Sequence, residues 1–160
     1  MSARISHIAS ISTNPAPMST FYETIFGMEV DHARRTPDLG EVLSDGYVTL
    51  NIRPRLAGHR VGLDHFGIEI DDLDAVFDRL KADYPSIGWM DQPKDGANGD
   101  YFSHDPAGSI FALSQGPAEK SLAAKRPQDR PTSTNFARWS DKDPSGRYLH
   151  HYAIRTRKLD

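Results

Sequence analysis

A strand that hands over to a helix is written into this chain twice, and that repetition limits the folds open to it more than any other feature. The second copy is the clearer one. Leu63-Asp64-His65-Phe66-Gly67-Ile68-Glu69-Ile70 is an apolar run rich in β-branched and aromatic residues, which reads as a strand. Asp71 or Asp72 then caps a helix that carries Leu73, Val76, Phe77 and Leu80 and runs to about Tyr84. The first copy begins with Ile5-Ser6-His7-Ile8-Ala9-Ser10-Ile11-Ser12-Thr13 and turns through Asn14-Pro15-Ala16-Pro17. Proline is tolerated in the first turn of a helix and not later, so the two prolines break the strand and set up the helix. Phe21, Tyr22, Ile25 and Phe26 have the spacing of a helix packed on a sheet, and Gly27 suits the left-handed stop after Phe26. His7 and His65, 58 residues apart, stand at matching places in the two copies.

Each copy continues in strands. In the first, strands are expected at 29–32, 41–44 and 47–53, with Asp45-Gly46 as a two-residue hairpin signal. In the second they are expected at 87–90, 100–104 and 109–115, with Asp105-Pro106-Ala107-Gly108 as a β-turn. The pattern predicts an α+β fold made of two βαβββ units, residues 1–56 and 57–116. Residues 117–147 contain much Pro, Ala, Lys, Ser and Thr without periodicity and read as a linker-like extension. Residues 148–160, with Tyr148-Leu149-His150-His151-Tyr152-Ala153-Ile154, look like the first strand of a third unit.

The charge is unevenly spread. Residues 1–116 hold 9 Lys and Arg against 17 Asp and Glu, a net of −8, while residues 117–160 hold 10 against 5, a net of +5. A basic tail with few aromatic residues reads as a solvated extension rather than a nucleic-acid arm. The apolar runs fall short of the roughly 20 residues of a membrane span, and the start lacks a signal-peptide pattern. The absence of cysteine excludes disulfide and thiolate chemistry and points to a cytoplasmic location.

His7-Ile8-Ala9, Phe21-Tyr22, Phe26-Gly27-Met28, His65-Phe66-Gly67-Ile68, Asp105-Pro106-Ala107-Gly108 and Gln115, in this order, resemble the vicinal oxygen chelate superfamily. Glyoxalases, bleomycin resistance proteins and extradiol dioxygenases belong to it. The resemblance covers residues 5–115 and implies that the paired units form a curved mixed sheet around a cup. It implies a divalent metal, iron, manganese, nickel or zinc, chelated by adjacent oxygens of a small substrate. His7 and His65 match the ligand positions on the first strand of each unit. Thr49 and Ala112 stand where that family usually has glutamate, so a third ligand has to come from elsewhere. Glu41, Glu69, His104 and His150 or His151 are the candidates, with His151 at the ligand-equivalent place of the tail strand.

The expected function is therefore a glyoxalase- or dioxygenase-like metal enzyme, a lyase, isomerase or extradiol-type dioxygenase. Two alternatives stand beside it: a metal-free binding protein of the bleomycin-resistance kind, and the degenerate half of a larger dioxygenase-like protein. Tyr47, Thr49, Asn51, Phe66, Phe111 and Ala112 are expected to line the cup, joined by Trp89, with Tyr101 as an acid or hydrogen-bond donor. Arg53 and Arg55 can hold an anion, although a solvated charge is the default reading. The expected partners are a small-molecule ligand and a second copy of the chain, in a homodimer that exchanges strands through residues 148–156.

Overall fold

The computed structural model describes residues 3–37, 40–90 and 101–115, together with residue 153. The tail strand expected at 148–156 and its histidines lie outside the described residues, Ala153 apart. The described chain is a mixed, open, curved seven-stranded sheet with two helices, an α+β fold. Strand β1 (Ala3–Ser12) leads into α1 (Pro15–Phe26), followed by β2 (Glu29–Val30), β3 (Glu41–Ser44) and β4 (Thr49–Pro54). Strand β5 (Gly62–Ile70) then leads into α2 (Leu73–Asp83), β6 (Tyr101–His104) and β7 (Ile110–Gln115). The strand order is β2-β3-β4-β1-β5-β7-β6.

The two copies meet at the centre of the sheet. Strands β1 and β5 pair antiparallel, and each has the last strand of its own unit parallel on its other side. His7 lies opposite Gly67 and Ala9 opposite His65, so one local two-fold relation exchanges His7 with His65 and Ala9 with Gly67.

Strand alternation sorts the side chains between two faces. Ile8, Leu43, Leu50 and Ile52 pack with Met28 and Val48 beneath Met18 and Tyr22 of α1. Ile70, Phe111 and Leu113 pack with Leu73, Val76 and Phe77 of α2. Burying each large apolar side chain contributes about 1.5–3 kcal/mol, so these two clusters fix the helices to one face. His7, Ala9, Thr49, Asn51, His65, Gly67 and Ala112 are the alternate residues and occupy the other face.

Gly27 closes α1 in the left-handed region, φ 64° and ψ 31°, and its N–H donates to the Glu23 carbonyl. Asp72 caps α2 by accepting from the Ala75 N–H at 3.0 Å.

Several expectations are revised. Phe21 and Phe26 do not sit in the core; they are 52% and 44% exposed, because α1 turns its Met18, Ser19 and Tyr22 line to the sheet. The hairpin after β3 is a four-residue loop, 45–48, since Ser44 pairs with Thr49. The Asp45 Oδ1 accepts from both the Tyr47 and Val48 N–H groups at 2.7 Å and takes the turn past Gly46. Strand β2 stops at Val30, where Asp31 caps a single 3-10 turn (His32–Arg34). In place of a strand at 87–90, Met90 makes one bridge to Phe102.

Candidate functional site

Neighbouring residues on a strand normally face opposite ways, yet both histidines are held by the residue just before them. The pairing of β1 with β5 is irregular between Ile5 and His7, and again between Ala9 and Ser10, where Asp64 is the extra residue on β5. A bulge places an unpaired residue in the strand and re-aims its side chain. Ser6 and Asp64 are those residues, and the two-fold relation exchanges them as it exchanges the histidines. The Ser6 Oγ lies 3.2 Å from Nδ1 of His7, and Asp64 Oδ2 lies 3.0 Å from Nδ1 of His65. Arg53 extends the second contact, 3.5 Å from the same carboxylate oxygen.

So held, the rings meet edge to face, 5.2 Å between centroids, and their Nε2 atoms are 3.1 Å apart. Gly67 makes this approach possible, because a Cβ there would overlap Cε1 and Nδ1 of the His7 ring. Phe102 closes on His65 from the other side at 5.1 Å. Both histidines are buried, with exposures of 8% for His7 and 3% for His65.

The hydrogen bonds select a consistent set of tautomers. An ionised Asp64 can only accept, so His65 carries its proton on Nδ1 and leaves Nε2 as an acceptor. His7 then donates Nε2–H to His65 and accepts from the Ser6 hydroxyl at Nδ1. Burial, and after it the nearby His65, push the pKa of His7 down to about 3, which keeps the ring neutral. The hydrogen bond from His65 holds the Asp64 carboxyl below its ordinary range against the opposing effect of burial, and Arg53 and His59 add to it.

A family model described as the Glyoxalase/Bleomycin resistance protein/Dioxygenase superfamily matches residues 4–113, and those residues hold both units and both histidines. The chain belongs to this superfamily. No curated protein matches it. Among solved structures, the methylmalonyl-CoA epimerase from Mycobacterium tuberculosis is 21% identical, covering 75% of this chain and 91% of its own, with a TM-score of 0.55. A selenomethionine form of a methylmalonyl-CoA epimerase is 23% identical over 71% and 94%, with a TM-score of 0.52. A glyoxalase/bleomycin resistance protein/dioxygenase superfamily member from Vibrio splendidus 12B01 is 17% identical over 72% and 100%, with a TM-score of 0.52. At these identities the likeness concerns the fold.

The fold of this superfamily member brings some of the sequence-selected residues together and separates others. Thr49, Asn51 and Ala112 share the histidine face and are buried, at 4%, 2% and 1% exposure. Register changes one equivalence: Asn51 lies beside Ala9 and Ala112 beside Gly67, so the counterpart of Ala112 is Asn51 rather than Thr49. Phe66, Phe111 and Tyr101 lie on the opposite face by alternation. Phe66 and Phe111 pack with α2, and Tyr101 meets Phe77 edge to face at 4.9 Å. Trp89 joins that cluster edge to face, 4.7 Å from Phe77. Tyr47 packs on the cluster under α1.

The candidate third ligands are engaged elsewhere. Glu41 is paired with Arg35 at 2.8 Å, Glu69 with Arg4, and Nδ1 of His104 donates to the Asp105 carbonyl. His150 and His151 lie outside the described residues. Among the described residues no third His, Cys, Asp or Glu stands with the pair as a metal ligand.

The donor set can still be tested against a metal. Two imidazole nitrogens 3.1 Å apart are near enough that both could ligate one ion that takes nitrogen at about 2.1 Å. A carboxylate on the far nitrogen of a ligating imidazole is the usual outer support of such a site, and Asp64 supplies it. Ser6 suits both states of His7, because a hydroxyl accepts as readily as it donates. The pair thus fits an ion that takes imidazole nitrogen, and it lacks the carboxylates that a hard, oxygen-seeking ion requires. Sequence reasoning passed over the polar residues immediately before the two histidines; their recurrence at Ser6 and Asp64 was the available signal.

Proposed function

We infer that this chain is a small-molecule enzyme of its superfamily, with a reaction centre on the histidine face and His7 and His65 as ligands of a divalent ion. His151, from outside the described residues, is the third ligand in this reading. The observation that carries it is the convergence of two Nε2 atoms at 3.1 Å, each imidazole held from behind by a bulge residue. Once Nδ1 of His7 carries the proton and Ser6 accepts it, both neighbouring Nε2 atoms carry a lone pair and can take an ion. When bound, the ion acts as a Lewis acid toward an oxygen of the substrate. The chain's own part is to fix both ring orientations, to keep Nδ1 of His65 protonated through Asp64, and to surround the pair with the buried floor of Ala9, Gly67 and Ala112.

The second reading is a metal-free ligand-binding protein, and one observation favours it. The positions related by register, Asn51 and Ala112, are both uncharged, and two imidazoles alone offset none of a dication's charge. Metal analysis separates the two. Protein purified without chelator or histidine tag is expected to hold one equivalent of zinc, nickel or iron, and His7→Ala and His65→Ala are each expected to abolish it. His151→Ala is expected to weaken retention. Wild-type protein that stays metal-free after reconstitution removes the metal reading and leaves the binding protein.

A further inference from the structure

Among the described residues of the histidine face, Asn51 is buried with neither of its polar atoms bonded. It is 2% exposed, and neither its Oδ1 nor its Nδ2 has a hydrogen-bond partner. Buried amide groups are ordinarily paired, and an orphaned donor and acceptor on one side chain call for an explanation. Strand alternation turns Asn51 away from the helix side, where Leu50 and Ile52 pack. It lies in one cross-strand row with Ala9 and His65, Ala9 between them. Across two strand spacings Asn51 and His65 are about 10 Å apart at the backbone, with only a methyl group separating them.

We propose that Asn51 anchors the ligand of this site and reads a donor beside an acceptor on one planar edge, the edge of a lactam or primary carboxamide. The side-chain amide is itself such an edge, with one acceptor and one two-proton donor in a plane, and it pairs in register with a complementary edge through two hydrogen bonds. The same geometry lets asparagine read the adjacent donor and acceptor of adenine. A ligand bound to Asn51 lies in the same cross-strand row as His65. A carboxylate, with acceptors only, leaves Nδ2 satisfied and Oδ1 opposed by negative charge; an amidinium, with donors only, leaves Nδ2 facing a donor. Asn51 therefore selects by hydrogen-bond polarity rather than by charge. This inference rests on reading the histidine face as the reaction centre, but it requires no metal.

The test uses 2-pyridone, benzamide, benzoate and benzamidine as probes on the full chain, with binding followed by calorimetry and by the ring-proton signals of the two histidines. It is run on chelator-stripped protein and repeated after addition of zinc. The wild-type chain is expected to bind 2-pyridone and benzamide saturably, to shift the His65 signals, and to prefer both over benzoate and benzamidine by at least about tenfold. Asn51→Leu is expected to lose that preference and the affinity behind it while keeping its zinc. Asn51→Asp, ionised at mildly alkaline pH, is expected to prefer benzamidine. Absence of saturable binding by the wild type, or equal binding by Asn51→Leu, overturns the proposal. Loss of zinc binding with lactam binding intact counts against the metal reading alone.

Discussion

His7 and His65 look alike in the sequence and differ in what holds them. A carboxylate fixes one tautomer of His65, while the Ser6 hydroxyl can serve His7 in either tautomer and leaves the choice to the His65 contact. Burial of His7 as a neutral ring also has a thermodynamic consequence. Its pKa falls from an ordinary 6.5 to about 3, so between those values the unfolded chain binds the extra proton. The contribution of His7 to stability is full above about pH 6.5 and is lost as pH falls toward 3, with a slope of up to about 1.4 kcal/mol per pH unit. Urea unfolding of the metal-free protein at pH 7.5 and pH 5 is expected to show this loss, and His7→Gln to reduce it; an unchanged slope would mean that His7 is hydrated in the fold. Asn51 makes the opposite kind of prediction. Because its buried amide is unpaired, Asn51→Leu is expected to raise stability by about 1–3 kcal/mol. A lower denaturation midpoint would instead reveal partners for that amide.

At the scale of the elements, the bulges are the working parts. They turn Ser6 and Asp64 onto the same side as the rings they support, which a regular strand cannot do. Asp64→Ala is expected to weaken zinc binding about 10–100-fold, the usual effect of removing outer-shell support, measured by competition with a chromophoric chelator. Gly67→Ala puts a methyl group into the His7 ring and is expected to cost about 1–3 kcal/mol while displacing Nε2 from its partner. Zinc affinity equal to wild type in that variant would contradict the observed packing. The strand-helix order, the stop at Gly27 and the matching histidines were all legible in the sequence, because each depends on local chemistry. The bulges were not, since they arise from how two strands 58 residues apart pair. The faces were only half read: with His65 turned to one side, alternation requires Phe66 to turn to the other, and Tyr101 likewise lies opposite Leu113 in the helix-side core.

On the scale of the whole molecule, two copies of one unit build a centre that neither could build alone, for each supplies one imidazole and the Gly67 of one makes room for the His7 of the other. The described sheet ends in short edges, two residues in β2 and four in β6, which offer little to a partner strand. Residues 148–156, expected from the sequence to form a strand, are our proposal for how two copies join, and truncation after Gly116 is expected to convert a dimer to a monomer in sedimentation velocity. An oligomeric state that survives truncation removes the tail from the interface. The protonation and metal binding of the imidazole pair are read out by nitrogen-15 NMR of histidine-labelled protein, metal-free at pH 6 and then with one equivalent of zinc. A neutral His7, a His65 protonated at Nδ1, and displacement of both Nε2 signals together on addition of zinc are expected. A charged His7 at pH 6, or zinc that leaves either Nε2 signal unmoved, would contradict this reading of the pair.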